Sequence, residues 1–301
     1  IRQQTAKPVN VNFFCHEPAA PDQDRDTAWK RHLAAYYEEL GLDASVSAPA
    51  VNRAPFDEAM CEIVEDTKPE VVSFHFGLPA KPLLERVKAA DSRVLSSATT
   101  VEEARWLEDN GCDAIIAQGY EAGGHRGIFL TDDIAMQAGT FALVPQIVDA
   151  VKVPVIAAGG IADGRGVVAA FALGASGVQI GTAYLFTPES LISDLHRTAL
   201  GAARDDGTAL TNLFSGRPAR GLMNRIMREI GPMSGLAPAF PTAGGALAPL
   251  KAAAEAQGAS DFTSLWSGQA AGLCHEIGSG DLTRRLAEDA ARRFQELALG
   301  K

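Results

Sequence analysis

The 301-residue chain is defined first by what it lacks. No apolar run approaches the roughly 20 residues that a membrane-crossing helix requires, and the opening IRQQTAKPVN is no secretory signal. Cysteine is scarce: Cys15, Cys61, Cys112 and Cys274 are scattered with no CxxC pairing. That pattern indicates neither a zinc site nor a disulfide framework, and makes a reducing, cytoplasmic setting the expectation. Positive charge is also short, with 27 Lys and Arg against 37 Asp and Glu and a formal net charge of −10. A nucleic-acid partner is therefore not expected, since such proteins carry a basic face. No nicotinamide fingerprint is present either: GGIADGRG at 159–166 is not GxGxxG in a dinucleotide-binding setting.

What is present is an ordinary globular composition, 47% hydrophobic and 21% charged, enough to bury a substantial core. Short β-rich apolar runs recur at Val9–Phe14, Val71–Phe76, Arg93–Ser97, Ala114–Ala117, Pro154–Ala158 and Gly177–Ile180, each followed by a helical pattern. Alternation of this kind predicts an α/β fold with a parallel sheet. From the fourth strand on, the spacing is that of a (β/α)8, or TIM, barrel, with a doubly wound open sheet as the competing fold. Only six barrel strands can be counted, so the first two βα units are expected to be absent from this sequence.

Between the first two strands lies an excursion with helices near Thr27–Leu40 and Pro55–Asp66, separated by a Pro/Ala/Ser-rich loop. Trp29, Tyr36 and Tyr37 at helical spacing read as packing residues, not a cofactor box. After Phe186 the pattern turns helical and loses its strands through about Gln257; Asp281–Leu299 reads as an amphipathic terminal helix. The predicted organisation is a barrel domain over 1–190, a smaller, mainly helical second domain over 191–260 and a C-terminal segment over 261–301 returning to the barrel. Arg217, Arg220, Arg225 and Arg228 read as a solvated or ion-paired basic face of that second domain.

The chemistry concentrates in QGYEAGGHRG at 118–127, where a glycine-rich loop carries one histidine. Its glycines let the backbone approach a ligand closely. With an ordinary pKa of about 6.5, His125 is the natural proton acceptor there. Two glycine turns at consecutive strand ends, Gly159-Gly160 and Gly181-Thr182, match the place where barrels bind phosphate through backbone N–H groups. Thr182 adds a hydroxyl donor. A phosphate cradle beside a histidine loop points to a phosphorylated cofactor with its reactive ring over the barrel mouth. A flavin-free isomerase or lyase is the alternative from another class, but no lysine stands at the strand ends Phe76, Ser97, Gln118 or Ala158 for a Schiff base.

The segments VNVNFFCH (9–16), VVSFHFGLP (71–79), SSATTVEEA (96–104), AQGYEAGGHRG (117–127), AAGGIADGRG (157–166), VQIGTAYLFTPE (178–189), FSGRPARG (214–221) and LWSGQAAG (265–272) jointly resemble the nitronate monooxygenase family, formerly called 2-nitropropane dioxygenases. The resemblance implies an FMN-dependent barrel enzyme that oxidises alkyl nitronates such as propionate 3-nitronate with O2 through a flavin semiquinone, as a monomer or homodimer. The family's N-terminal Ala-Pro-Met segment has no counterpart in this sequence. By motif, His125 corresponds to the active-site histidine. Asn12, Gln118 and Gly124 would approach the flavin, as would Ser97, which stands where some relatives carry lysine. Gly159, Gly160, Gly181 and Thr182 would hold the phosphate, Gln269 would return to the cofactor, and His75 would line the substrate cavity. No metal is implied. The flavin-dependent enoyl-acyl-carrier-protein reductases share barrel, FMN and histidine but consume NADH, and form the alternative reading.

Overall fold

The computed structural model describes residues 1–3, 5–43 and 53–300. Much of the Pro/Ala/Ser-rich loop anticipated between the excursion helices, residues 44–52, lies outside the described residues. The six anticipated strands all form, each within about one residue of its predicted limits: β1 (Asn10–Phe14), β2 (Val71–His75), β3 (Arg93–Ala98) and β4 (Ala114–Gln118), then, after the two-residue β5 (Gly124–His125), β6 (Val155–Ala158) and β7 (Gly177–Gln179). They pair in parallel in the order β1-β2-β3-β4-β6-β7, an open sheet with β1 and β7 at its edges.

Helices follow the strands as the alternation requires. The excursion carries α1 (Gln23–His32), α2 (Ala34–Glu39) and α3 (Glu58–Thr67); α4 (Lys81–Ala89), α5 (Val101–Asp109), α6 (Thr140–Ala150) and α7 (Gly164–Ala172) connect successive strands. Their starts are capped where the sequence supplies a short polar residue: Asp57, Thr100 and Asp163 each accept a backbone N–H of the first turn. Val72, Phe74, Val94, Ile115, Ala117, Val155 and Ala157 project to one face of the sheet and pack with Leu84, Leu107, Leu143 and Ile147. Period-two alternation places Asn12, Ser73, His75, Ser97 and Gln118 on the opposite face, which is polar and carries the site.

Beyond β7 come α8 (Thr182–Leu185), α9 (Asp194–Gly201), β8 (Thr208–Thr211), β9 (Ala219–Leu222), α10 (Arg225–Ile230), α11 (Gly244–Ala256) and α12 (Ser279–Ala298). Here the sequence reading needs correction, because the stretch taken as strand-free contains β8 and β9. Both are only four residues long, and ARGL has little intrinsic β preference, so their pairing is a tertiary effect. They join β5 in a three-stranded antiparallel sheet of order β5-β9-β8, with His125 opposite Ala219 and Gly124 opposite Arg220. The predicted helix at 27–40 is likewise two helices, α1 and α2, meeting at Leu33.

Trp29 and Tyr37 do serve packing. Both lie in a second core with Leu213, Ile226, Leu247, Leu250 and Phe262. Their polar atoms are satisfied there, Trp29 Nε1 donating to the Ala243 carbonyl at 3.1 Å and Tyr37 Oη to that of Ala246 at 2.7 Å. The terminal helix α12 lays Leu282, Leu286 and Ala290 against Val167 and Val168 of α7. Among the described residues no helix is long and apolar enough to cross a membrane.

Candidate functional site

The carboxyl ends of β4, β6 and β7 open onto a cleft of about 260 Å³ lined by Gln118, Gly123, Gly124, Gly159, Gly160, Gly181, Thr182, Trp266, Ser267 and Gly268. No acidic side chain is among its lining residues; the Glu121 side chain lies behind Gly160. Gly159 has φ +112, and a Cβ on it would lie 2.9 Å from the Ala122 backbone nitrogen. At Gly181 a Cβ would meet nothing within 4 Å: the space beside it is open. Thr182 Oγ1 accepts the Gly268 N–H at 2.9 Å and keeps its own hydrogen to donate. The two glycine turns are therefore brought together in one cleft, with Trp266, Ser267 and Gly268 as its third wall.

His125 is held by its backbone as well as its ring. The carbonyl of His125 accepts from Gln118 Nε2 at 2.9 Å and from His75 Nε2 at 3.1 Å. A carbonyl only accepts, so His75 carries its hydrogen on Nε2; neutral His75 then receives the Ser97 hydroxyl hydrogen at Nδ1, 3.0 Å away. Gln118 closes the loop by accepting the Gly127 N–H at 2.7 Å. Beneath it lies the buried Arg126, whose Nη2 donates to the Gln118 carbonyl at 3.0 Å and whose Nε donates to Gln137 at 2.6 Å. Burial lowers its pKa to about 10, leaving a cation at neutral pH.

The His125 ring faces Phe240 and Trp266, each 5.4 Å away between centroids, and Phe14 and Phe76, each at 6.0 Å. This apolar enclosure pushes its pKa down to about 3, chiefly through burial and further through the positive charges of His75, Arg53, Arg217 and His16. Burial likewise lowers His75 to about 4. Both rings are neutral at pH 7. His125 Nε2 lies 2.8 Å from Ser215 Oγ, while Nδ1 is left free to act. Ser215 Oγ in turn reaches the Arg217 carbonyl at 3.2 Å.

Of the anticipated residues, Gln118, Gly124, Gly159, Gly160, Gly181 and Thr182 line the cleft; His125 follows Gly124 and packs its ring 5.4 Å from that of Trp266, a lining residue. Ser97 and His75 lie under His125 with their polar atoms engaged in holding it. Asn12 is elsewhere, on the edge strand β1, accepting from Ser73 Oγ at 2.9 Å. Gln269 is turned away into a separate hollow with Tyr120, Glu121 and Gln137, because its backbone N–H is anchored on the Glu121 carbonyl at 3.0 Å. Its neighbours Ser267 and Gly268 line the cleft. The four arginines do not form one solvated face. Arg220 is buried, with its Cζ 4.8 Å from the Tyr120 ring centroid, and Arg217 covers Phe76; only Arg225 fits the ion-paired reading, meeting Glu39 and Glu229. Ser215, Phe240 and Gly268 escaped the sequence reading as site residues. FSGRPARG and LWSGQAAG had marked two of their segments, and the pairing of β9 with β5 supplies their role. Among the described residues no group of three or more His, Cys, Asp or Glu is placed to hold a metal.

Comparison with known proteins agrees over nearly the whole chain. The family model described as nitronate monooxygenase matches residues 1–289. The chain is 42% identical to a nitronate monooxygenase of Pseudomonas aeruginosa, over 96% of this chain and 83% of the relative. It is 39% identical to one of Paraburkholderia phytofirmans, over 98% and 81%. Its fold superposes on nitroalkane oxidase from Streptomyces ansochromogenes with a TM-score of 0.88 at 36% identity, covering 98% of this chain and 84% of that one. The likeness to FabK from Thermotoga maritima is lower, at 0.69 and 26%, over 100% and 81%. With the histidine loop, the glycine cradle and a family model spanning 1–289 in agreement, the chain belongs to the nitronate monooxygenase family.

Proposed function

We propose that this protein oxidises alkyl nitronates, such as propionate 3-nitronate, with O2, using FMN, and releases a carbonyl product with nitrite or nitrate. The observation that carries the reading is His125: a neutral imidazole in an aromatic enclosure, beside Gly124 and Trp266 of a glycine-lined cleft. In this reading residues 1–190 supply strands three to eight of a (β/α)8 barrel that carries the flavin, residues 191–260 cover the site, and residues 261–301 return to the cleft.

The residues fit the cofactor. Gly159, Gly160, Gly181 and Thr182 would hold the phosphate, with the open space beside Gly181 receiving it. Gly124 and Gln118 would border the ring, and Asn12 faces the same side of the sheet from its edge. Bound FMN supplies the electron acceptor for the substrate and a route to O2.

The protein's own groups bind the substrate, orient it and move its proton. The Ser215 hydroxyl decides what His125 does. Turned toward the Arg217 carbonyl, it accepts the Nε2–H of His125 and leaves Nδ1 as an acceptor, suited to taking the α-proton of a neutral nitroalkane. Turned toward Nε2, it moves the hydrogen of His125 to Nδ1, which then donates to a nitronate oxygen. Phe14, Phe76, Phe240 and Trp266 exclude water and strengthen either interaction.

The test is anaerobic mixing of the flavin-loaded protein with propionate 3-nitronate and, separately, with NADH, following the oxidised-flavin absorbance. Loss of absorbance with nitronate alone is expected, and His125→Asn should keep the flavin while losing most turnover. Bleaching by NADH with no response to nitronate would move the protein to the reductase reading, which the likeness to FabK makes the one to test against.

A further inference from the structure

Two buried guanidinium groups stand behind the wall of the glycine-lined cleft: Arg126 is 0% exposed and Arg220 is 2% exposed. Arg126 is tied to that wall through Nη2, which donates to the carbonyl of Gln118, a lining residue, at 3.0 Å. Arg220 belongs to β9 and stands opposite Gly124, a second lining residue. Its carbonyl accepts the N–H of a third, Ser267, at 3.2 Å. The Arg220 side chain turns back over the histidine loop, where Nε donates to the Tyr120 carbonyl at 3.0 Å and Nη1 to Thr208 Oγ1 at 3.2 Å.

Neither cation forms an ion pair among the described residues. The carboxylates whose charge reaches Arg126 are Glu121 and Glu103, and both are committed elsewhere. Glu103 accepts from Thr99, Phe129 and Leu130, and Glu121 accepts from Thr140. Arg126 Nη1 has no hydrogen-bond partner at all. A buried charge without a counter-ion destabilises a fold, so two of them on one wall call for a negative charge that arrives later. The field of Arg126 already crosses the wall, since it is among the causes that lower the pKa of His75 on the polar face of the sheet.

We propose that Arg126 and Arg220 form a fixed positive charge behind the cofactor cleft that raises the reduction potential of the flavin held there. This rests on the FMN reading above and names the groups that tune the cofactor within it. Each electron that reaches the ring without a proton adds one unit of negative charge. Cations already fixed in place stabilise that charge without reorganising. Glu121, whose side chain lies behind Gly160, offsets one of the two, and one positive charge remains in excess.

The test is redox potentiometry of the flavin-loaded chain, reading the potential at which the flavin takes up its first electron. Arg126→Met and Arg220→Gln remove the charge, whereas Arg126→Lys and Arg220→Lys keep it and lose the planar fork. Each neutral variant should weaken uptake of that electron about tenfold, a fall of about 59 mV, and each lysine variant should stay within about threefold of the parent. The parent supplies a measurement that needs no folded variant: its flavin should take the first electron at a potential above that of free FMN. A parent potential at or below that of free FMN would overturn the proposal. So would neutral variants with the parent's potential, or equal falls in the neutral and lysine variants, which would mark a merely structural role. A parent that binds no flavin would overturn the FMN reading together with it.

Discussion

Acidification should destabilise this protein, because the groups packed around His75 and His125 hold both rings neutral. In the unfolded chain His75 and His125 take up protons near their ordinary pKa of about 6.5, whereas in the folded state their values fall to about 4 and about 3. Between these limits the unfolded state binds more protons, so stability rises with pH and is lost as pH falls. At about pH 5.5 each histidine costs about 1 kcal/mol relative to pH 7, and the pair about 2 to 3 kcal/mol. Both folded values lie well below that pH, so the result does not depend on their size. His16 and His196, also lowered by burial, act in the same direction. Glu70, held down to about 2 by Arg2 and the Val9 N–H, and Glu65, lowered by Arg86, work in a different window. Their stabilisation is complete above the ordinary carboxylate range and is lost only as pH falls below it. Urea unfolding followed by circular dichroism at the two pH values measures the effect, and His75→Phe should flatten the dependence by about half. Equal unfolding free energies at pH 7 and about pH 5.5 would refute the enclosure of the two rings.

Three further outcomes follow from single contacts. Gly181→Val places a side chain in open space, so melting temperature should stay within about 2 °C while flavin affinity falls at least about tenfold; full flavin retention would place the phosphate elsewhere. Ser215→Ala removes the partner of His125 Nε2 and should lower kcat/KM for nitronates about tenfold with flavin content intact. Unchanged kinetics would show that Ser215 does not govern the ring. Gln118→Leu strands the Gly127 N–H and takes one of two donors from the His125 carbonyl, a loss of about 1 to 3 kcal/mol in unfolding free energy. A variant as stable as the parent would show that the loop is held by other contacts.

Much of the site was legible because its chemistry lies in short contiguous motifs. The strand ends at Gln118, Ala158 and Gln179 are set by local β patterning, and glycines follow each of them; at Gly119 and Gly159 an added Cβ would lie within 3 Å of neighbouring backbone. Residues recruited from far along the chain were harder to place. Gln269 and Asn12 carry side chains suited to a flavin, yet their orientation depends on which carbonyl or hydroxyl their own segment meets. Ser215 lies 90 positions from His125 in sequence, and nothing in FSGRPARG indicates which histidine it meets.

The amino-acid pattern alone determined the parallel sheet, the order of its six strands, the glycine cradle and the histidine loop, since each follows from period, turn chemistry or local charge. Only the tertiary structure decided the neutral state of His125 and its pairing with Ser215. Burial and long-range pairing are properties of what surrounds a residue. Here Ser215, Phe240 and Trp266 supply those surroundings from far along the chain, and β9, a four-residue strand whose own sequence has little tendency to be one, pairs with the histidine's own strand β5.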